Sequence, residues 1–194
     1  MRTNRSPGQT PLDPDELLGL LDLTITTKGE LDRAEQFNIA AAHAWYAGGV
    51  VPPVAELLSE DFLHTLHRQM FANVWEWAGE QRRTDKNIGG PYYLISRELR
   101  QLCDNGRYWA EHDVYGADEL ALRFKHQLVS IHVYPNGNGR HSRLLADLIA
   151  EAYGKEPFSW GASLGGEAAR NEYINALRRA DKGDYAALLD FARR

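Results

Sequence analysis

The chain has 194 residues, 43% of them apolar and 25% charged, with a formal net charge of −5. That length sets a prior of one domain with a real core, and the composition excludes a disordered, fibrous or collagen-like chain. The acidic balance excludes a general nucleic-acid coat, which needs a basic surface to displace counterions, while leaving room for a local basic patch. The lone cysteine, Cys103, has no thiol companion for a disulfide or a metal, so it reads as a half-buried helix residue of a cytoplasmic protein. No run approaches the roughly 20 apolar residues that span a bilayer, and the opening MRTNRSPGQT lacks the apolar centre of a signal peptide.

The first dozen residues, rich in Pro, Gly and Thr, read as a loose arm, and we take 1–28 as an N-terminal arm ahead of one domain over 29–194. From Thr27, TTKGELDRAEQFNIAAAHAWYAGG puts Thr before acidic residues and a Gly pair at the end. Apolar Leu31, Ala34, Phe37, Ala41 and Trp45 lie between, which predicts an amphipathic helix. VVPPVAELLSEDFLHTLHRQMFANVWEWAGE predicts a second, with Leu58, Phe62, Leu66, Met70, Val74 and Trp77 on one stripe and Gly79 as its stop. QRRTDKNIGGPYYLIS has breakers in its middle and Tyr-Tyr-Leu-Ile after them, which predicts a short β-hairpin flap, the one strand region expected. RELRQLCDNGRYWAEHD and ADELALRFKHQLVSIHVY read as two further helices, and RHSRLLADLIAEAYG as another. EAARNEYINALRRADKGDYAALLDFARR gives two closing helices broken at Lys182-Gly183. The expected fold class is therefore mainly α, a helical bundle with one short β-hairpin flap.

The chemistry is concentrated in HVYPNGNGRHSR, residues 132–143, which joins two of these helices. A Gly-Asn-Gly run at a helix start can curl into a nest of backbone N–H groups backed by the positive end of the helix, a cup that suits phosphate oxygens. Arg140 and Arg143 lie three apart on that helix and can fork onto phosphate. His132, just before the cup, is a natural proton acceptor for an incoming hydroxyl. Together these parts describe phosphoryl or nucleotidyl transfer, where catalysis is mostly positioning and charge stabilisation.

The same stretch resembles the signature of the Fic family, H-x-F-x-[acidic]-G-N-G-R-x-x-R. It matches at His132, Gly137, Asn138, Gly139, Arg140 and Arg143, with Tyr134 in place of Phe. LHRQMFANVWEWAGEQRRTDKNIGG is similar to the helix and flap that precede the Fic site, and YINALRRADKGDYAALLDF to the closing helices, so the resemblance runs from about residue 30 to the end. Combined with TTKGELDRAEQFNI, the loop resembles the subgroup called mobile mystery protein B, which is the sole ground for a toxin-antitoxin association.

The resemblance implies a Fic-type helical bundle and an enzyme that moves AMP from ATP to a hydroxyl of a target protein, with Mg²⁺ or Mn²⁺ on the phosphates. His132 would be the base, Gly137, Asn138 and Gly139 would hold the phosphates, Arg140 would neutralise them, and Arg143 would take the γ-phosphate. Thr84, Asp85, Lys86, Asn87, Ile88 and Gly89 would form the flap that clamps the target by strand addition. Asn136 stands where the family has its acidic metal ligand, and an amide there weakens metal binding by a full charge. The alternatives are a different phosphate-containing donor, or a nucleotide-binding pseudoenzyme acting through a partner.

The family's inhibitory [Ser/Thr]-x-x-x-Glu-[Gly/Asn] helix finds only partial matches, Thr26 to Glu30 and Ser163 to Glu167, followed by Leu31 and Ala168. That leads to the expectation of an antitoxin-like inhibitor acting in trans. Other residues read as structural: His64 and His67 on a polar face, His126 in a modest role, His141 toward solvent, and Trp45, Phe71, Trp75 and Trp77 as core aromatics. Tyr92 and Tyr93 read as packing residues, with self-modification as the alternative.

Overall fold

The computed structural model describes residues 12–194. Side-chain caps fix where two of the helices begin. Thr27 opens α2 (Lys28–Ala47) through a capping box in which its hydroxyl accepts from the Glu30 N–H at 3.3 Å and Glu30 Oε2 accepts from the Thr27 N–H at 2.9 Å. α2 follows a four-residue helix, α1 (Pro14–Leu17), with Pro at its first position. The stretch expected as one helix after the Pro pair is two, α3 (Val54–Leu57) and α4 (Glu60–Phe71). Ser59 splits them because its side chain accepts from the Phe62 N–H at 3.2 Å and so starts a new helix.

The remaining helices are α5 (Ile95–Glu111), α6 (Ala117–Ile131), α7 (Asn138–Ala152), α8 (Gly166–Ala180) and α9 (Ala186–Arg193). α7 is the centre of the bundle: residues 144–150 are buried without a break, and α6 packs along it. Leu63 and Leu66 of α4, Leu99 of α5, Phe124 and Leu128 of α6 and Leu188 of α9 close around it. Burying all sides of one helix explains why α7 reads as apolar beyond a single stripe. The only cysteine lies buried in α5, where burial pushes its thiol up to about 12. Among the described residues no helix is long and apolar enough to cross a membrane.

The mainly α class holds, and two details differ from expectation. Residues 80–91 form no strand ladder; the one bridge among the described residues joins Leu20 to Trp75. Tyr92–Leu94 is a 3-10 turn that runs straight into α5, so Tyr-Tyr-Leu-Ile opens a helix and is not a strand. Tyr92 and Tyr93 are exposed, which overturns their reading as packing residues. The second difference is the face of α2. Leu31, Glu35, Asn38, Ala42 and Tyr46 point inward, leaving Phe37 and Trp45 at 80% and 72% exposure. Apolar periodicity picked the wrong stripe because the buried one carries a carboxylate and an amide whose partners lie on other elements.

Of the sequence expected to be a loose arm, residues 1–11 lie outside the described residues. Residues 12–27 lie against the body. The Leu21 N–H donates to Val74 O at 3.0 Å, the Glu76 N–H to Gly19 O at 2.8 Å, and Trp77 Nε1 to Glu16 O at 2.9 Å.

Because the stripe of α2 that turns outward contributes no core, Phe37→Ser is expected to change unfolding free energy by less than about 0.5 kcal/mol. Leu63→Ala, at a fully buried site, is expected to cost about 2–5 kcal/mol. Urea unfolding of the two variants checks this, and comparable losses would contradict the assigned face.

Candidate active site

The turn between α6 and α7 is built by satisfying its own backbone. His132 caps α6 in the left-handed region, φ 58°, with its N–H still donating to Leu128 O at 3.3 Å. Asn138 then clips Tyr134 from both sides: its Oδ1 accepts from the Tyr134 N–H at 2.9 Å and its Nδ2 donates to the Tyr134 carbonyl at 2.7 Å. Gly137, φ 80°, caps α7, and a Cβ there would lie 2.5 Å from the Phe71 ring, so both conformation and space demand glycine.

Two buried histidines hold this turn from α4 and α7. The Gly79 N–H donates to His67 Nδ1 at 3.0 Å, so Nε2 carries the proton and donates to Asn136 O at 3.1 Å. Its ring stacks on Tyr134 with centroids 3.7 Å apart. His67 therefore ties the start of the flap to the signature loop, a role beyond the polar-face one expected. His64 lies beside it, its Nδ1 3.3 Å from the Tyr134 hydroxyl. His141, expected at solvent, is fully buried, with Nε2 3.0 Å from Leu63 O. His126 bridges Tyr185 and Asp181, each at 2.9 Å, and so fastens α6 to the closing helices.

The first backbone bond of α7 runs from the His141 N–H to Gly137 O, and the N–H groups of Asn138, Gly139 and Arg140 meet no acceptor among the described residues. Nothing lies within 4 Å of where a Gly139 side chain would begin, so the cup is open there. Gly137 and Asn138 act as cap and clip, and what they offer a phosphate is backbone.

The two arginines differ. Arg140 Nη1 pairs with Glu35 Oε2 at 2.7 Å, and Glu35, buried at 3% side-chain exposure, also accepts from Trp75 Nε1 at 2.7 Å. Arg143 donates to Gly139 O at 3.3 Å and lies over the Tyr173 ring at 5.6 Å; no carboxylate among the described residues is within ion-pair distance of it. The sequence reading missed Glu35. Its signal is the spacing Leu31, Glu35, Asn38, Ala42, Tyr46, which a search for apolar stripes passes over.

His132 is 4% exposed, and burial, with the Arg82 charge second, holds its pKa down at about 4. It is thus a neutral imidazole at pH 7, the form a general base requires. Asn136 Oδ1 accepts from the Gly137 N–H at 2.7 Å. Among the described residues no group of three His, Cys, Asp or Glu is placed to hold a metal. One uncharged oxygen already engaged by the backbone does not fit a resident divalent cation.

Of the flap residues, Thr84 Oγ1 and Lys86 Nζ donate to Asp13 Oδ2, each at 2.7 Å, and Lys86 also reaches Glu16 Oε2 at 2.6 Å. Asp85 Oδ1 accepts from the Tyr92 N–H at 2.8 Å, while Asn87, Ile88 and Gly89 are exposed. The backbone N–H groups from Arg83 to Gly90 make no hydrogen bond among the described residues.

Residues 57–150 match the Fic/DOC family. That stretch, a little under half of the chain, is a Fic domain. It is 28% identical over 141 residues to the protein adenylyltransferase Fic of Drosophila grimshawi, which covers 70% of this chain and 28% of the fly protein. The chain therefore spans little more than a quarter of that relative. The fold is similar to that of Fic-1 from C. elegans, with a TM-score of 0.68 and 23% identity over 88% of this chain and 51% of the other. It is also similar to the Bartonella tribocorum effector BepC with bound AMPPNP, with a TM-score of 0.66 and 18% identity over 92% of this chain and 95% of the other.

The buried histidines predict a pH dependence of the Fic domain's stability. The folded state holds His132 at about 4 and His141 at about 3, against an unperturbed 6.5, and burial also lowers His67 and His126. Below pH 6.5 the unfolded chain takes up protons that the folded chain refuses, so stability falls with pH from about 6.5 down to about 4. Each histidine held neutral contributes roughly 1.4 kcal/mol per pH unit inside that window. Asp147, raised by burial to about 6, and Glu151, also raised by burial, oppose this trend but are two groups against several. Urea unfolding at pH 7, 6 and 5 is expected to show the decline, and a flat profile would contradict it.

Proposed function

We propose that this chain is a protein adenylyltransferase that moves AMP from ATP to a hydroxyl side chain of a target protein. The observation that carries the reading is the neutral His132 beside an open helix-start cup whose second arginine, Arg143, has no carboxylate partner among the described residues. His132 takes the proton of the target hydroxyl, and that oxygen attacks the α-phosphorus. The bond to the β-phosphate breaks, and pyrophosphate leaves with the electron pair. The N–H groups of Asn138, Gly139 and Arg140 hold phosphate oxygens through the transfer, and Arg140, held by Glu35, offsets their charge. Arg143 receives the γ-phosphate. The flap from Thr84 to Gly89 presents backbone N–H groups to an extended target segment, a reading supported by their lack of acceptors among the described residues.

Because Asn136 provides no charge, Mg²⁺ or Mn²⁺ enters this reading with the ATP and not as a resident ion. The same substitution is what favours the second reading, in which the cup takes another phosphate-containing donor or only binds nucleotide. Restraint is assigned to an antitoxin-like partner in trans, since Glu30 is engaged by the N–H groups of Thr26 and Thr27, each at 2.9 Å. The reading places the protein in the cytoplasm with its ATP and target.

The deciding experiment gives the full chain ATP labelled at the α- or the γ-phosphate in lysate, alongside His132→Ala. Protein label from the α-position alone, lost by about 100-fold or more in the variant, is the expected result. Label from the γ-position, or none from either, would favour the second reading. Asn136→Asp restores a carboxylate and is expected to lower the Mg²⁺ concentration for half-maximal transfer by about tenfold, read from a metal titration at fixed ATP. An unchanged midpoint would contradict the weakness assigned to the amide.

A further inference from the structure

Arg82 belongs to none of the roles above, yet it is the most engaged side chain near His132. Its guanidinium is buried, and its Nε donates to His132 O at 2.6 Å. Nη1 donates to Thr84 O at 2.7 Å and Nη2 to Gly90 O at 2.6 Å, while the Arg82 backbone N–H donates to Val133 O at 2.9 Å. Its nearest carboxylate, Asp85, is 3.8 Å away with a mostly exposed side chain, so carbonyl oxygens and not a counter-ion hold this charge. The flap then crosses His132 at Gly89. A Cβ on Gly89, φ 91°, would lie 2.7 Å from His132 Cβ and 3.0 Å from Arg82 Nη2.

We propose that Arg82 is a positioning residue: its planar fork joins both ends of the flap to the carbonyl of His132, and so sets where an acceptor strand lies relative to the base. The proposal rests on the reading of His132 as base and of the flap as acceptor-binding. A lysine cannot substitute, because its donors radiate from one point and cannot reach three carbonyls lying in different directions. The cup is built from other contacts, those of Asn138, His67 and Glu35, so loss of Arg82 should uncouple acceptor placement from nucleotide binding. A residue that merely supported the fold would lower both together.

The test uses the full chain carrying Arg82→Lys. Affinity for a fluorescent ATP analogue is expected to stay within about threefold of the parent, while label transfer to protein falls by about 100-fold, the scale of lost orientation. Backbone order parameters of residues 84–90 are expected to drop from about 0.85 to below about 0.6. Millimolar guanidinium added to Arg82→Ala is expected to restore part of both. Nucleotide affinity falling in step with transfer, or an equally ordered flap in Arg82→Lys, would overturn the proposal. If Arg82→Lys does not fold, Gly89→Ala perturbs the same junction from its exposed side, with the same results expected and the same ones overturning. Should the parent protein transfer no label, the activity reading fails, and the order parameters still decide the role of Arg82.

Discussion

The constraint on which the site depends is that an irregular turn has been buried inside a helical bundle, where every carbonyl needs a donor. Six of the seven carbonyls from Ile131 to Gly137 find one. Ile131 and His132 carbonyls are met by the Arg82 side chain, Val133 by the Arg82 N–H, Tyr134 by Asn138, Asn136 by His67 and Gly137 by the His141 N–H. The donors come from the flap, from α4 and from α7 itself. Each is therefore both a stabilising contact and a positional restraint on His132 or the cup. An unmet buried carbonyl costs about 1–3 kcal/mol, so removing any one donor both destabilises the turn and frees it to move.

That accounting separates two kinds of positive charge. Arg82 and Arg140 have settled partners, one among carbonyls and the other on Glu35. Arg143 makes one long bond to Gly139 O and otherwise faces an aromatic ring. Glu35 itself is fixed by Trp75, so Arg140 is pre-oriented at the helix start with much of its charge already compensated. In the proposed reading, a phosphate entering the cup meets oriented N–H groups first and the less compensated charge of Arg143 one turn further along α7. Preorganised donors of this kind cost no rearrangement when charge develops.

The sequence made the bundle legible because caps and breakers are local. Thr27, Ser59 and the Lys182-Gly183 break act through neighbours a few residues away, and the signature loop is contiguous. What stayed hidden depends on partners far along the chain. Glu35 meets Arg140, His67 meets Asn136, and Arg82 meets His132, and no spacing rule links such pairs. A buried polar residue looks the same in sequence as an exposed one until its partner is known, which is why periodicity alone points to the other face of α2 and to solvent for His141. The flap failed for a related reason. Its composition reads as a hairpin, but a guanidinium does the work expected of a ladder.

That replacement has a consequence for recognition. A ladder would consume the backbone groups of one flap strand in pairing with the other, leaving a single edge for a partner. Here the ends at Thr84 and Gly90 are drawn together through Arg82, and Lys86 anchors the loop to Asp13 and Glu16 of the N-terminal segment. The N–H groups between them meet no acceptor among the described residues. Held at both ends, the flap keeps these backbone donors in place, and in the proposed reading an incoming segment meets them without an entropic cost for closing the loop anew. In the proposed reading, recognition through backbone places little demand on target sequence, so discrimination falls to geometry: the hydroxyl accepted is one that an extended segment can deliver to His132.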